Sequence, residues 1–473
     1  MKKTLLFLSI TFLILNTGYS QTNVSGGIYA NTLWTKANSP YIVTGDIVVF
    51  PGYTLTIQPG VVVKFDTNTS IEIRQSTIIA VGTPTDSITF TSNSKTPGPG
   101  SWNKIELNGQ LTSTFAYCNF MYATSGLDGS PSAGTDSAYF EHSAFRYNTN
   151  GIYNCQLINV DSCNFYYNSA GINGLAIGFV TSCSFLHNQI GVSENQNGRI
   201  KGCIIEYNNK GMYSLINGTV DNCIIKYNYN GVFNLNGNYG SAFKNTIIDS
   251  NKNNGIQLDI GFGNTDTIMN CKIRYNRVGI NDSSGVDGSI EQSTIQQNII
   301  DSNKYGIILD ESSQISCNSI CANSIYDLYY LGTNNLRVPN NYWCTTDSAA
   351  AHATIYDGHD NITYGLILVT PMDTAPCANI VTSVKNIPLP SVTSFKLYPN
   401  PFTTSTTLKF ENPKNENSTL SVYNFMGQQL ISINNITANQ VQINRGDLTD
   451  GVYFFQLKTD RQLMASGKFV IQK

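Results

Sequence analysis

Charge is scarce in this chain. Charged residues make up 12% of its 473 residues, against the ~25% usual for globular proteins, and the formal net charge is −3. The few cations form no basic block and like charges form no run, which argues against nucleic acid and anionic membrane surfaces as partners. Long apolar runs are also missing: beyond residue 20 no segment approaches the ~20 residues a transmembrane helix needs, so no transmembrane anchor is expected. Histidine is limited to His142, His187, His352 and His359, whose spacing matches no metal-ligand pattern.

What is abundant favours turns and aromatic strands. Gly contributes 39 residues, Tyr 27 and Phe 22, alongside heavy use of Asn. Lys2 and Lys3, the apolar run Leu5 to Leu15 and the small residues around Gly18-Tyr19-Ser20 read as a signal peptide over residues 1–20. Cleavage would expose Gln21, which resembles the start of exported proteins of Bacteroidetes-type bacteria. Eleven cysteines in an exported chain raise the possibility of disulfides, and their odd number leaves at least one thiol unpaired.

Several of those cysteines belong to a repeat. Cys163, Cys183, Cys203 and Cys223 recur every twenty residues, each followed by a large apolar residue (Phe165, Phe185, Ile205, Ile225), an asparagine and a glycine. The asparagine place holds Asn148, Asn168, Asn188, Asn208, Asn228, Asn251, Asn276 and Asn303; the glycine place holds Gly151, Gly171, Gly191, Gly211 and Gly231. A period near twenty is too short for a helix pair but suits one coil of a three-stranded β-solenoid, with ~4.8 Å between coils. Cysteine and the apolar residue then point inward, and the asparagines form an internal amide ladder that must be self-satisfied.

This pattern resembles the right-handed parallel β-helix repeat family, the pectin lyase-like fold, whose members include polysaccharide lyases, hydrolases, epimerases and surface proteins. Asp46 to Gly52 and Leu55 to Phe65 are similar to the opening coil of such helices, and Asn340-Asn341-Tyr342-Trp343-Cys344 to the closing segment. Cys344 stands where that family places glycine; Cys377 is its candidate disulfide partner, with Cys317 and Cys321 as a second candidate pair. After a Val/Ser/Thr/Pro-rich linker over 378–394, short alternating strands suggest a small antiparallel, Ig-like sandwich. Within it Tyr398-Pro399-Asn400-Pro401, then Val422 to Gln428, Leu448 to Tyr453 and Gly467 to Ile471 resemble, in order, the motifs of the type A sorting domain of the type IX secretion system. That resemblance implies export by the secretion machinery to the cell surface or beyond. The expected architecture is all-β: signal peptide 1–20, β-helix 21–377, linker 378–394 and sorting domain 395–473.

Candidate chemistry sits in the outward columns. The place three residues after the cysteine ends in Glu206, Lys226, Asp249, Arg274 and Asp301, an alternation that reads as a ladder of ion pairs. Alternatively Asp249 and Asp301, two coils or ~9.6 Å apart, act as acid and base around Arg274 in an inverting glycosidase or a lyase. Tyr167, Tyr207, Tyr227 and Tyr275 form an aromatic column: facing outward they would offer sugars a strip, facing inward a packing ladder. Lyases of the resembled family gather carboxylates around calcium; no acidic cluster is seen in a repeated column, so calcium, though open to a chain of this resemblance, is without support and no cofactor is expected. Two functions follow: a secreted or cell-surface helix that binds extracellular polysaccharide or serves adhesion, or a carbohydrate-active enzyme.

Overall fold

The computed structural model describes residues 21–377 and 396–472, apart from 110, 130–136, 236–239, 259–265, 284–292, 311–312, 411, 413–414, 416, 424–428 and 460–462. The expected signal peptide and linker lie outside the described residues. The first described region is a right-handed parallel β-helix of about 13 coils. One coil contains a long strand, Ile190–Gln196, and two short ones, Arg199–Lys201 and Ile204–Glu206. Each pairs in parallel with its counterpart twenty residues on: Ile190 faces Lys210, Arg199 faces Thr219 and Ile204 faces Ile224.

Two of the corners share one device. A residue in the left-handed conformation turns the chain, and the next residue points inward. Ahead of the asparagines the turning residues are Tyr147, Tyr167, His187, Tyr207 and Tyr227, with φ of 56–59°. The asparagine that follows is buried and its own backbone N–H also needs a partner in the core. Asn188 N–H donates to Asn208 Oδ1 at 2.8 Å, and Asn188 Nδ2 donates to the same oxygen at 3.0 Å. Asn208 Nδ2 in turn donates to the carbonyl of Phe185 at 3.0 Å. The pattern runs from Asn148 to Asn323, where the last amide and backbone N–H both donate to Asp327 Oδ1. Burial holds the Asp327 carboxyl above its usual range, against the hydrogen bonds from Asn323.

The cysteine column is the same device in sulfur. Ser182, Gly202 and Asn222 turn the chain, and the following N–H groups meet a side chain of the next coil. Cys163 N–H donates to Cys183 Sγ at 3.4 Å and Cys203 N–H to Cys223 Sγ at 3.4 Å. Ser143 Oγ, Thr246 Oγ1 and Asn298 Oδ1 take the same place in other coils. From Asn298 the column continues through Asn318 and Asn341, forming a second amide ladder that the sequence reading did not anticipate. The seven free cysteines are buried; burial drives the Cys271 thiol up to about 12, so it stays protonated at neutral pH.

Between the corners the core is a stack of like on like. Phe120, Phe145, Phe165 and Phe185 lie ring over ring at centroid distances of 4.7, 4.8 and 4.7 Å. The glycine column serves close packing rather than a left-handed turn. A Cβ on Gly211 would lie 2.4 Å from the carbonyl oxygen of Gly231.

At the closing end the expected disulfide partners are exchanged. Cys321 joins Cys344 and Cys317 joins Cys377, instead of Cys344 with Cys377 and Cys317 with Cys321. The register gives the reason for one pair: Ser319 bridges Tyr342, so Cys344 lies one coil directly above Cys321, with Cα atoms 5.8 Å apart.

The C-terminal region is a small antiparallel sandwich with its own core, in which Leu420, Leu457 and Phe469 are buried. Lys396–Tyr398, Ser405–Lys409 and Gln440–Asn444 form one sheet; Ser418–Tyr423, Gln429–Ile436, Gly451–Thr459 and Leu463–Ile471 form the other. Within the Tyr398 to Pro401 motif, Asn400 Oδ1 accepts the Val470 N–H at 2.8 Å and ties the motif to the last strand. Tyr398 lies over Lys409 Nζ at 5.5 Å, on the neighbouring strand.

Replacing Asn208 by Ala leaves the Asn188 N–H and amide without their acceptor, and should cost about 2–4 kcal/mol in denaturant unfolding. A loss below 0.5 kcal/mol on that same scale would deny the ladder its structural role. Non-reducing peptide mapping should recover Cys321 with Cys344 and Cys317 with Cys377; a Cys344–Cys377 peptide would contradict the register.

Candidate functional site

The alternating charges occupy one aligned outward column of the third strand. Glu206 faces Lys226, Lys226 faces Asp249, Asp249 faces Arg274 and Arg274 faces Asp301. Lys226 Nζ lies 3.4 Å from Asp249 Oδ2 and Arg274 Nη2 lies 2.7 Å from Asp301 Oδ2. Burial raises the Glu206 carboxyl, partly offset by Lys226. The two aspartates named as acid and base are thus each engaged by a cation, an arrangement suited to holding coils in register.

The aromatic column faces outward, resolving the alternative left open by strand parity. The left-handed turn at each ring breaks the in-out alternation, and Tyr167, Tyr207, Tyr227 and Tyr275 are 49–57% exposed. From Tyr147 to Tyr227 the rings, including His187, stack on one another at 5.2–5.3 Å. Each ring covers its neighbour's face, so the strip offers edges and hydroxyls rather than flat platforms. Tyr275 stands apart, two coils on, with Arg274 5.4 Å from its ring centroid.

A site absent from the sequence reading lies on the outward face of the long strands. Glu72, Glu106 and Asp128 are in register on successive coils there. The expectation of no acidic cluster is confined to the repeated columns; these residues lie in earlier coils of unequal length and carry no common period. Lys104 Nζ lies 3.3 Å from Glu106 and 3.4 Å from Asp128. Arg74 grips Glu72 through two nitrogens at 2.8 and 2.6 Å, and Asn108 Nδ2 adds a bond at 2.8 Å. The Arg74 hydrogen bond keeps the Glu72 carboxyl below its usual range despite burial. Burial alone would lower the Lys104 ammonium, but Asp128 and Glu106 outweigh it and hold it above its ordinary value.

The same column continues through Tyr153, Asn173, Ser193, Tyr213 and Phe233 to Tyr329 and Tyr356. Lys210 Nζ sits 4.0 Å from the Tyr213 ring centroid and 4.4 Å from that of Phe233, and Tyr329 stacks on Tyr356 at 4.4 Å. At ~4.8 Å per coil the column runs for roughly 60 Å. The histidines divide: His142 stacks on Tyr117, His187 joins the aromatic strip, and His352 and His359 come together beside Asp357.

Models of known families match parts of both regions. A model described as a secretion system C-terminal sorting domain matches residues 396–472. The chain ends in a type IX secretion sorting domain. That domain implies export to the cell surface or extracellular space, and among the described residues no helix is long and apolar enough to cross a membrane. A pectate-lyase like beta helix domain model matches residues 26–136, and a model described as periplasmic copper-binding protein (NosD) matches 179–359.

Among solved structures the chain is similar to pectate lyase Pel9A, at 14% identity over 57% of this chain and 72% of that one, with a TM-score of 0.34. It is also similar to the periplasmic alginate epimerase AlgG, at 11% identity over 60% and 81% of the two chains, TM-score 0.39. Protein bark beetle of Drosophila melanogaster is 44% identical over 62 residues, 13% of this chain and 2% of that protein's length. These likenesses assign no chemistry to the chain.

If the Arg274 column holds coils together, Arg274→Met should cost about 1–2 kcal/mol, with a comparable coupling to Asp301→Asn in a double-mutant cycle. Zero coupling would remove the pair.

Proposed function

We propose that this chain is a secreted or cell-surface β-helix that binds an extracellular polysaccharide along the outward face of its long strands. On this reading residues 1–20 are removed as a signal peptide, 21–377 form the passenger, 378–394 a linker and 395–473 the export tag. The observation that carries it is the aligned column from Glu72 to Tyr356, which presents rings, amides and charged groups along the helix axis. Sugars are held by rings packing on their C–H faces and by amides and hydroxyls bonding their hydroxyl groups. Lys210, beside Tyr213 and Phe233, adds a cation suited to uronic acid carboxylates.

The second reading, a polysaccharide lyase or inverting glycosidase, draws support from the carboxylates clustered around Lys104. It asks for a base or acid poised near neutral pH. Lys104 is instead held protonated and Glu72 ionised by their neighbours, which suits electrostatic binding better than proton transfer. Asp249, Arg274 and Asp301 are committed to ion pairs along their column. Copper, named in the description of one matched family, does not fit the thiols of that stretch. Cys183, Cys203 and Cys223 are buried, and their sulfurs are engaged by backbone groups of their own and neighbouring coils.

The test is to expose the purified protein to acidic and neutral polysaccharides, following binding by calorimetry and turnover by ultraviolet absorbance and reducing ends. Binding without product is expected, weakened about tenfold by Tyr213→Ala combined with Phe233→Ala. Product formation that disappears in Lys104→Ala, Asp249→Asn or Arg274→Met would replace binding with catalysis.

A further inference from the structure

The closing segment brings two of the four histidines together with a buried carboxylate. His352 ends the short helix Ser348–His352, and the chain returns through the turn Asp357 to Asp360. Donor atoms of His352, Asp357 and His359 all lie within 4.8 Å of one another. His359 Nδ1 is 2.9 Å from Asp357 Oδ1, which also accepts the His359 N–H at 2.8 Å. Asp357 Oδ2 accepts the Ile367 N–H at 2.8 Å, so the carboxylate is anchored on its far side. Gly358 makes the fold-back possible, since a Cβ there would lie 2.6 Å from the Tyr364 carbonyl oxygen. The His352 and His359 rings meet edge to face at 5.5 Å, with the His359 side chain 64% exposed.

We infer that His352, Asp357 and His359 form a surface site for a late first-row divalent cation, of the zinc and copper class. Two imidazoles and one carboxylate suit these metals, whereas calcium and magnesium favour oxygen donors throughout. Bonds of ~2.0–2.2 Å from one ion place neighbouring donors ~2.9–3.5 Å apart, a range that includes the 2.9 Å between His359 Nδ1 and Asp357 Oδ1. Asp357 is held rigid before any ion arrives, and the exposed His359 leaves the remaining coordination positions open to water or an outside ligand. The described free thiols contribute nothing, being buried in the helix.

The full chain, carrying no histidine tag, is titrated with Zn²⁺ and Cu²⁺ by calorimetry, and the Cu²⁺ form is examined by electron paramagnetic resonance. One equivalent should bind, with hyperfine coupling to two imidazole nitrogens. His352→Ala and His359→Ala should each weaken binding at least tenfold and remove one nitrogen from the spectrum, while His142→Ala leaves both unchanged. Asp357 also anchors the turn, so the histidine variants carry the test, with circular dichroism confirming that they fold. Absence of binding, or binding of wild-type strength in both histidine variants, overturns the site.

Discussion

A corner built from one left-handed residue turns an amide into the dry interior, and the coil above must supply the atom that receives it. This demand recurs along the helix and explains why so few residue types fill the inward corner places. Asn is the fullest answer, because its oxygen accepts two donors while its nitrogen reaches both the next amide and a carbonyl one coil back. Cys, Ser and Thr are lesser answers: Cys163, Ser143 and Thr246 each accept one backbone N–H and donate one hydrogen bond to a nearby carbonyl. Packing of Phe on Phe and the close approach of the glycines then follow from coils held in strict superposition.

The sequence made the middle of the helix legible for a physical reason. Where consecutive coils have equal length, register becomes periodicity, and Cys163 to Cys223 or Asn168 to Asn228 can be seen by counting. Where coils differ in length the columns persist in space but vanish from the spacing. Glu72, Glu106 and Asp128 were hidden in this way, although Lys104 and Arg74 oppose them on the long-strand face. The second amide ladder was hidden differently: Asn298, Asn318 and Asn341 occupy the place that Cys163 to Cys223 had defined by another residue type. Only their shared need for an acceptor unites them.

Coil geometry decides two points on which spacing alone is silent. Spacing leaves Tyr167, Tyr207 and Tyr227 free to face either way, and the left-handed turn at each ring swings it outward. The candidate pairs Cys344–Cys377 and Cys317–Cys321 give way to Cys321–Cys344 and Cys317–Cys377, the first of these because the solenoid sets Cys344 one coil from Cys321. In the sorting domain the linear motifs sufficed, because short segments of fixed order carry the resemblance without any count of coils.

The tie from Asn400 to Val470 has a temporal side. The opening motif of the export tag acquires its partner only after the strand Leu463–Ile471 has left the ribosome, when the whole helix is already synthesised. A sandwich stitched from its opening motif and its last strand therefore closes only on chains translated through that strand, and truncated products would carry the motif without the partner that holds it.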